Sequence, residues 1–315
     1  MTKKYKILVT GGAGYIGCML VTELVYKGNE VTVLDKLNYS INSLSHLFSF
    51  KNFNLIIGDV SDFNLMKKVV KNKEIIIPLA GLVGAPLCDK FPKLAKRVNY
   101  DSILHLIKIL KKRQKIIFPN TNSGYGIGKK NKFCNEESPL NPISLYGVLK
   151  KNAESEVLKF GNSVVFRLAT VFGFSYRMRT DLMVNNFIYS ALKSKKLNIF
   201  EPHFRRNYIH VKDVVNAFIF AIENFKNMRG NVYNLGLSKA NLTKLQLAKE
   251  IKKNIKELKI YTNYKKSDPD KRDYFVSNKK IEKLGFRAKF SLQDGIVELI
   301  KVFRLGFDKK IKNNY

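Results

Sequence analysis

The stretch ILVTGGAGYIGCML, residues 7–20, joins a short apolar run to a helical pattern through a turn with spaced glycines. Gly11 permits a tight turn, Gly14 lets the backbone approach a ligand closely, and Gly17 lets the helix pack tightly on the strand. The free N–H groups and the positive dipole end of the helix favour an anion at this point. The stretch therefore predicts a strand–turn–helix unit whose turn binds a pyrophosphate.

Apolar runs alternate with helical patterns through the first half of the chain, as in a parallel sheet built from β-α-β units. Strands of this near-continuous apolar type are buried on both faces of the sheet. The predicted strands are KILVT (6–10), VTVLD (31–35), FNLIIGDV (53–60), EIIIPLA (74–80), KIIFPN (115–120) and SVVFRLATVFG (163–173), and helices are predicted over 15–27, up to 70 and over 94–113. The pattern predicts the α/β class, a Rossmann-type doubly wound parallel sheet.

The later part of the chain has a different composition. Residues 174–206 read as irregular, 205–224 as a strand and a helix, 231–236 as a strand, 241–257 as an amphipathic helix and 291–303 as a helix capped by Ser291 and Asp294. We therefore predict an NAD-binding Rossmann domain from residues 1–173 and 207–236. A smaller, discontinuous substrate domain is predicted from residues 174–206 and 237–315.

Composition limits the class of protein. The chain has 315 residues and 45% hydrophobic content, which is enough for a core. No apolar stretch reaches about 18 residues, so no membrane span is expected. Three scattered cysteines and four histidines predict neither a disulfide framework nor a metal site, and favour a reducing cytoplasm.

The net charge of +32 allows several interpretations. A nucleic-acid or membrane-surface partner is one of them. The basic residues are spread along the whole length, however, and a dispersed charge favours a solvated lysine surface over a specific nucleic-acid partner. An anionic substrate is the third interpretation, and the arginines discussed below favour it.

Two acidic positions follow predicted strands. Asp35 ends the second strand eighteen residues after Gly17, where a carboxylate accepts hydrogen bonds from an adenosine ribose and repels a 2′-phosphate. This predicts NAD as the cofactor rather than NADP, although the neighbouring Lys36 weakens the argument. Asp59 and Val60, after the third strand, are placed to border the adenine. The alternative for Asp59 is an ordinary helix N-cap.

The spacing Y-x-x-x-K occurs five times, and only one copy has the right position for a proton-transfer pair. Tyr146 and Lys150 begin a helix between the fifth and sixth strands, where i and i+4 side chains share a face beside the carboxyl ends of the strands. The other four copies lie in segments with other predicted structures or positions; they start at Tyr125, Tyr189, Tyr208 and Tyr261.

The chemistry of this pair suits a dehydrogenase. Tyrosine ionises near pH 10 in water, and a neighbouring ammonium together with a nicotinium ring lowers its pKa toward neutrality. The phenolate can then take a proton from a substrate hydroxyl while hydride leaves the same carbon for NAD. Thr121 and Ser123, after the fifth strand, are candidates to hydrogen-bond that substrate oxygen.

These features together resemble a known family over nearly the whole chain, the extended short-chain dehydrogenase/reductases of the NAD-dependent nucleotide-sugar epimerase and dehydratase type. The resemblance rests on TGGAGYIG (10–17), Asp35, Asp59–Val60, PLAG (78–81), Asn99, NTNSGYG (120–126), YGVLK (146–150), RRNYIHVKDV (205–214) and KRDYFVS (271–277). It implies that Tyr146 is the catalytic acid/base, and that Lys150 orients the cofactor ribose and lowers the tyrosine pKa. Thr121 takes the place of the family's catalytic serine or threonine, with Ser123 as a second candidate.

The resemblance also implies the binding residues. Those expected at NAD are Gly11, Gly14, Tyr15, Ile16, Gly17, Asp35, Asp59, Val60, Leu79, Ala80, Gly81, Asn99, Tyr146 and Lys150. Those expected at the substrate diphosphate are Arg206, Arg272, either Asn185 or Asn186, and, as further candidates with a surface cation as the alternative, Arg177 and Arg179. Arginine suits this role because it offers paired donors. Thr170 stands where many members have asparagine, and the loop 82–92 could border the sugar.

The resemblance narrows the reaction as well. The 4,6-dehydratases of the family carry an Asp-Glu pair directly after the catalytic threonine, and this chain has Asn122 and Ser123 there. We therefore expect a 4-epimerase or 4-dehydrogenase rather than a 4,6-dehydratase. The substrate is expected to be UDP- or GDP-linked, with a GDP-heptose as a narrower candidate, in bacterial surface-polysaccharide (capsule) synthesis. A homodimer is expected. The alternatives are an NADPH-dependent 4-keto-sugar reductase and a non-catalytic dinucleotide-binding protein.

Overall fold

Residues 3–39, 42–129, 132–263 and 272–306 are described by the structure, a computed structural model of the chain. The strands are β1 Lys6–Thr10, β2 Glu30–Asp35, β3 Phe53–Ile57, β4 Ile75–Pro78, β5 Lys115–Thr121, β6 Phe133–Cys134, β7 Ser163–Leu168, β8 Thr170–Phe172, β9 Lys196–Phe200, β10 Arg205–His210, β11 Asn231–Leu235, β12 Asn241–Thr243, β13 Lys259–Asn263 and β14 Phe275–Val276. The helices are α1 Tyr15–Tyr26, α2 Phe63–Val69, α3 Ala85–Lys90, α4 Pro92–Lys96, α5 Ser102–Ile109, α6 Leu145–Phe160, α7 Met183–Ser194, α8 Val211–Glu223, α9 Phe225–Met228, α10 Lys244–Lys252, α11 Lys279–Lys283 and α12 Leu292–Arg304.

Seven parallel strands form the main sheet, in the order β11-β7-β5-β4-β1-β2-β3. The apolar runs that predicted these strands are buried, since β4 is buried along its length and β1 is buried after its first residue. The predicted α/β class with a Rossmann-type sheet is confirmed. The strand order reverses direction between β1 and β4, and a crevice at the carboxyl ends of strands is expected at such a point.

The predicted sixth strand, residues 163–173, is wrong as a single element. It divides at Ala169 into β7, which lies in the main sheet, and β8, which pairs with β10 in a separate three-stranded sheet completed by β12. The strand predicted at the start of 205–224 therefore exists, but it lies in the smaller sheet. A run of apolar residues shows that a strand is buried and does not show which sheet it joins.

Three further predictions need correction. Residues 174–206 are not irregular throughout, because α7 and β9 lie within them. The helix predicted over 94–113 is three consecutive pieces, α4, a π-helical turn at Arg97–Asp101 and α5. The amphipathic helix predicted over 241–257 is shorter, since β12 precedes α10. The capping of α12 by Ser291 and Asp294 is confirmed, because the two residues form a reciprocal capping box.

A second apolar core lies under the smaller sheet. It is formed mainly by α7, α10 and α12 together with β9, and it includes Phe172, Ile188, Leu247 and Ile296. Tyr15 of α1 also belongs to this core, so the first helix after the glycine turn contacts both parts of the protein. The division into two domains at the predicted boundaries stays a prediction.

Candidate active site

The glycine turn has the geometry that a dinucleotide needs. Gly11 adopts a positive φ of 71°, and a Cβ on Gly17 would lie 2.3 Å from the Gly11 carbonyl oxygen. Gly14 is the N-cap of α1. A Cβ added at Gly14 would contact only the carbonyl oxygen of Gly11, at 3.1 Å. The first N–H groups of a helix have no partner within the helix, so this turn can bind a diphosphate.

Gly17→Ala is expected to weaken NAD binding about 10- to 100-fold. The added methyl group would collide with backbone atoms of Gly11 and Gly12, which cannot rotate away as a side chain can. Overpacking of this kind costs about 1–3 kcal/mol, and each 1.4 kcal/mol is tenfold in affinity. Isothermal titration with NAD measures the effect. An unchanged dissociation constant would show that the turn does not touch the cofactor.

The Asp35 side chain lies beside the glycine turn. Its carboxylate accepts hydrogen bonds from the backbone N–H of Ala13, at 3.0 Å, and of Leu37, at 2.8 Å. These bonds hold the carboxylate beside the glycine turn, and Asp35 lines a cleft at the carboxyl ends of the main-sheet strands. The position fits the ribose-binding role predicted from the sequence.

Asp59 is not the helix N-cap that the sequence allowed as an alternative. The N-cap of α2 is Asp62, which accepts from the N–H of Leu65. Asp59 instead accepts from Ser61 and forms an ion pair with Lys36 at 2.9 Å. Partial burial raises the pKa of the Asp59 carboxyl, but these donors outweigh burial and lower it to about 2. Asp59 and Val60 both line the cleft.

The loop after β4 is held in place by Asn99. This buried side chain accepts from the Leu82 N–H at 2.8 Å and donates to the Leu82 carbonyl at 2.9 Å. The π-helical turn that contains Asn99 gives the side chain its position opposite the loop. Leu79, Ala80 and Gly81 line the cleft together with Asn99.

Tyr146 and Lys150 lie on the first turns of α6, on the face that lines the cleft. Ser144 caps the helix by accepting from the Gly147 N–H at 3.2 Å. Lys150 Nζ donates to the Pro119 carbonyl at 2.5 Å and lies 4.1 Å from the centre of the Phe118 ring. Lys150 is therefore fixed between α6 and the end of β5.

Burial shifts the pKa values of both members of the pair. Burial, and then the nearby Cys88 thiol, raise the pKa of Tyr146 to about 12, while Arg272 and Arg179 act in the opposite direction. Burial lowers the pKa of Lys150 to about 7, although the Glu154 carboxylate opposes this. The predicted lowering of the Tyr146 pKa includes the positive charge of an oxidised nicotinamide beside Lys150, so it stays a prediction.

Thr121 and Ser123 lie side by side at the end of β5. Their hydroxyl oxygens are 2.8 Å apart, and the Ser123 N–H donates to Thr121 Oγ1 at 3.1 Å. Arg272 also donates to the Ser123 hydroxyl. Both candidates line the cleft with Tyr146, so the sequence alternative between them stays open.

The four predicted arginines all line the cleft. Arg177 and Arg179 are 4% and 7% exposed, so the alternative that they are surface cations is wrong. Arg179 forms a two-point ion pair with Asp181. Arg206 is almost fully buried and donates to the backbone carbonyl of Arg272.

Asn185 and Asn186 have different surroundings. The Asn185 side chain is fully buried, accepts from the Gly173 N–H at 3.2 Å and donates to the Arg179 carbonyl at 2.8 Å. Asn186 lines the cleft and Asn185 does not. Of the two, Asn186 has the position from which a side chain could contact a ligand in the cleft, and its role at the substrate stays a prediction.

All these groups surround one cleft of about 680 Å³, at the carboxyl ends of the strands of the main sheet. Every predicted cofactor, catalytic and substrate residue lines it except Asn185. Lys271, the first residue of the KRDYFVS motif, lies outside the described residues. The glycine turn, Asp35 and the hydroxyl groups form a continuous surface that fits a dinucleotide with a second ligand beside it.

A sequence profile of the NAD-dependent epimerase/dehydratase family matches residues 7–236. The chain belongs to this family. Among similar proteins, a dTDP-D-glucose 4,6-dehydratase of Dictyostelium discoideum is 30% identical over 78% of this chain, and the match spans 61% of the Dictyostelium protein. A UDP-glucose 4-epimerase of Lactobacillus helveticus is 29% identical over 78% of this chain and 81% of that protein.

Among solved structures, the UDP-glucose 4-epimerase of Thermotoga maritima with UDP-glucose is 27% identical, with a TM-score of 0.84 over 96% of this chain and 99% of that one. As a member of the epimerase/dehydratase family, the protein is an NAD-dependent enzyme of nucleotide-sugar chemistry. The chemistry that NAD supplies when it is bound is the acceptance of a hydride. The relatives include both 4,6-dehydratases and 4-epimerases, so the family alone does not decide the reaction.

Sequence reasoning missed several residues of this family site. Tyr39, Asp181 and Tyr274 all line the cleft. The spacing R-x-D of Arg179 and Asp181 was a usable signal, since a carboxylate two residues from an arginine can bind its guanidinium. No sequence signal pairs Tyr39 with Arg177, which are far apart along the chain.

Two kinds of feature are absent from the part of the chain that the structure describes. No helix in the described ranges is long and apolar enough to cross a membrane. Within residues 3–39, 42–129, 132–263 and 272–306, no group of three or more His, Cys, Asp or Glu side chains could hold a metal ion.

Proposed function

We propose that this protein oxidises the C4 hydroxyl of a nucleotide-activated sugar with NAD, as a 4-epimerase or a 4-dehydrogenase. The observation that supports this most is the convergence on one cleft of the glycine turn, the Tyr146–Lys150 pair and the adjacent hydroxyls of Thr121 and Ser123. A carbinol group bound among these side chains would have a proton acceptor and hydroxyl donors within one cleft, and NAD bound there would supply the hydride acceptor.

The proposed roles follow from the positions of the side chains. Tyr146 takes the proton of the C4 hydroxyl as the hydride leaves the same carbon, so that the alcohol becomes a ketone. Thr121 or Ser123 donates a hydrogen bond to the substrate oxygen and holds it near Tyr146. Lys150, held by the Pro119 carbonyl, orients the cofactor ribose. In an epimerase Tyr146 returns its proton when the hydride comes back to the opposite face of the ring.

A 4,6-dehydration is disfavoured in this proposal, because two carboxylic acid groups are missing where that reaction needs them. Asn122 replaces the first, is 2% exposed and does not line the cleft. Ser123 replaces the second and is bonded to Thr121 and Arg272. Neither side chain can protonate a leaving hydroxyl or remove a C5 proton. Some relatives are 4,6-dehydratases, so this part of the proposal needs its own test.

The substrate diphosphate is proposed to bind Arg206, Arg272 and Asn186. Both arginines line the cleft on the side of Ser123, and the backbone contact between them holds them together. The proposed nucleotide is UDP or GDP, with a GDP-heptose as the narrower candidate. A role in bacterial surface-polysaccharide synthesis and a homodimeric assembly are further parts of the proposal; light scattering tests the assembly.

Incubation of the protein and NAD with a panel of UDP-, GDP- and dTDP-sugars tests the reaction, read by nicotinamide absorbance, mass spectrometry and NMR of the sugar. Inversion at C4 without net NADH identifies an epimerase, and stoichiometric NADH with a 4-keto sugar identifies a dehydrogenase. Loss of water from the sugar would overturn the exclusion of dehydration. Inactivity with every sugar, for the parent and for Tyr146→Phe alike, would favour a non-catalytic dinucleotide-binding protein.

The same panel run with NADP or NADPH tests the reductase alternative. The carboxylate of Asp35, fixed beside the glycine turn, is expected to repel the 2′-phosphate of these cofactors. Preferred turnover of a 4-keto sugar with NADPH would contradict the proposed direction and cofactor together.

A further inference from the structure

The first residues of the segment from Gly173 to Asp181 form hydrogen bonds with the beginning of α1. The Tyr15 hydroxyl donates to the Gly173 carbonyl at 2.6 Å, and the Ser175 hydroxyl donates to the Tyr15 carbonyl at 2.7 Å. The Cys18 thiol lies 3.1 Å from the Ser175 hydroxyl. All three contacts are buried, so this segment follows the helix whose N-terminus forms the diphosphate turn.

Arg177 connects that helix to the loop after Asp35. Its backbone N–H hydrogen-bonds to the Cys18 thiol, and its guanidinium lies 4.3 Å from the centre of the Tyr39 ring. Tyr39 comes four residues after Asp35, on the loop that leaves β2. Arg177 is 4% exposed and is one of the residues that line the cleft.

Arg177 lies in a charged part of the cleft. Burial lowers the pKa of Arg177, Arg179 lowers it further, and the Asp181 carboxylate acts in the opposite direction. Asp181 also forms the two-point ion pair with Arg179. A guanidinium offers paired donors to phosphate oxygens, so Arg177 has the chemistry to bind a diphosphate in the cleft.

The other two arginines of the cleft lie elsewhere. Arg272 donates to Ser123 at the end of β5, and Arg206 donates to the Arg272 backbone. Arg206 comes from β10 and lies 5.7 Å from the Tyr274 ring. The cleft therefore has two groups of arginines on different elements. Arg177 and Arg179 lie on the segment that contacts α1, and Arg206 and Arg272 lie near the Ser123 hydroxyl.

We propose that Arg177, whose guanidinium lies over the Tyr39 ring, binds the diphosphate of NAD rather than that of the sugar nucleotide. The family resemblance had predicted that Arg177 binds the substrate diphosphate. The α1 N-terminus offers backbone N–H groups to one side of the cofactor diphosphate, and Arg177 offers a guanidinium from the segment that covers that helix. The inference rests on NAD binding by the family, and its contrast with Arg206 rests on the proposed function.

The test compares Arg177→Met with the matched variant Arg206→Met by isothermal titration, with NAD and separately with UDP and GDP as probes. Arg177→Met is expected to raise the NAD dissociation constant about 10- to 100-fold, since a hydrogen bond to a charged group is worth about 1.5–3 kcal/mol. Its affinity for UDP or GDP is expected to stay within about threefold. Arg206→Met is expected to show the reverse pattern.

A second probe separates a diphosphate contact from a general disturbance of the cofactor site. Adenosine lacks the diphosphate and ADP-ribose contains it, so Arg177→Met is expected to weaken ADP-ribose and leave adenosine unchanged. Arg177→Lys, which keeps the charge and loses the paired donors, is expected to recover part of the ADP-ribose affinity. Equal loss for adenosine and ADP-ribose would overturn the proposal, as would loss of UDP or GDP affinity alone.

These titrations need no turnover, so they remain decisive if every sugar in the panel proves inert. An unchanged NAD affinity in Arg177→Met would refute the inference and leave the proposed reaction intact. Inactive sugars combined with weakened NAD binding would refute the reaction and leave the inference intact. Thermal unfolding of both variants without ligand verifies that each is folded in the titrations.

Discussion

Tyr146→Phe is expected to lower kcat by a factor of about 10²–10⁴, the usual contribution of a positioned general acid or base. The change removes one hydroxyl from a side chain that lines the cleft and leaves the ring in place. The affinity for NAD and the thermal stability are expected to stay at the parental values, because the lost atom acts on the reacting hydroxyl. Steady-state kinetics on the first active sugar of the panel measure the effect.

Tyr261→Phe is the matched control, since Tyr261 also begins a Y-x-x-x-K spacing. Tyr261 lies on β13, about half exposed and away from the cleft. We expect parental kinetics for this variant. Equal activity of Tyr146→Phe and the parent would refute the acid/base role and transfer attention to Thr121 and Ser123 as the proton-handling groups.

The second large effect is expected on stability, from the buried ion pair behind the catalytic helix. Glu154 accepts from Arg167 Nε at 3.1 Å and from Nη2 at 2.6 Å, and both side chains are about 95% buried. Arg167 also donates to the Tyr125 hydroxyl at 2.9 Å, and Tyr125 donates to Asn234 at 2.7 Å. The network therefore joins α6 to β7, β11 and the turn after β5.

Glu154→Leu is expected to lower the free energy of unfolding by about 3–5 kcal/mol, because it leaves the Arg167 charge buried without its carboxylate. Urea denaturation followed by circular dichroism measures the change. The double variant Glu154→Leu/Arg167→Met is expected to be more stable than Glu154→Leu alone, since it removes both charges.

Glu156→Gln, two residues along the same helix, is the control for the loss of a carboxylate. Glu156 pairs with the exposed Lys159, and such surface pairs contribute little. Its denaturation midpoint is expected to match the parent. If Glu154→Leu also matched the parent, the buried pair would have no role in stability. If the double variant were the least stable of all, packing rather than charge would explain the loss.

The parts of the site that could be predicted from sequence are those set by local geometry. A strand, a glycine turn and a helix are contiguous in residues 7–20, and the resulting φ of Gly11 and the close contact at Gly17 follow from that order. Tyr146 and Lys150 share a helix face because they are four residues apart. These positions depend on neighbours in the chain, so a pattern in the sequence is enough to locate them.

Contacts between distant segments could not be predicted from such local patterns. The same asparagine type at 185 and 186 has opposite surroundings, since a rotation of about 100° per residue turns one toward the protein interior and the other toward the cleft. Arg177 reads as a charged residue in an irregular segment, and only its packing against the distant Tyr39 shows that it is buried. The raised pKa of Tyr146 likewise comes from burial, which depends on the assembled cleft.

The amino-acid sequence by itself predicted the dinucleotide turn and the tyrosine–lysine pair, because each lies within a few consecutive residues or one helical turn, and its apolar runs identified the strands of the Rossmann-type sheet one by one. Tertiary structure alone decided which of two asparagines lines the cleft, where the sixth strand divides between two sheets and which arginines lie beside the glycine-turn helix. The physical reason is that these arrangements depend on contacts between segments far apart in the chain, such as those of Tyr15 with Gly173 and Ser175, and no local spacing records them.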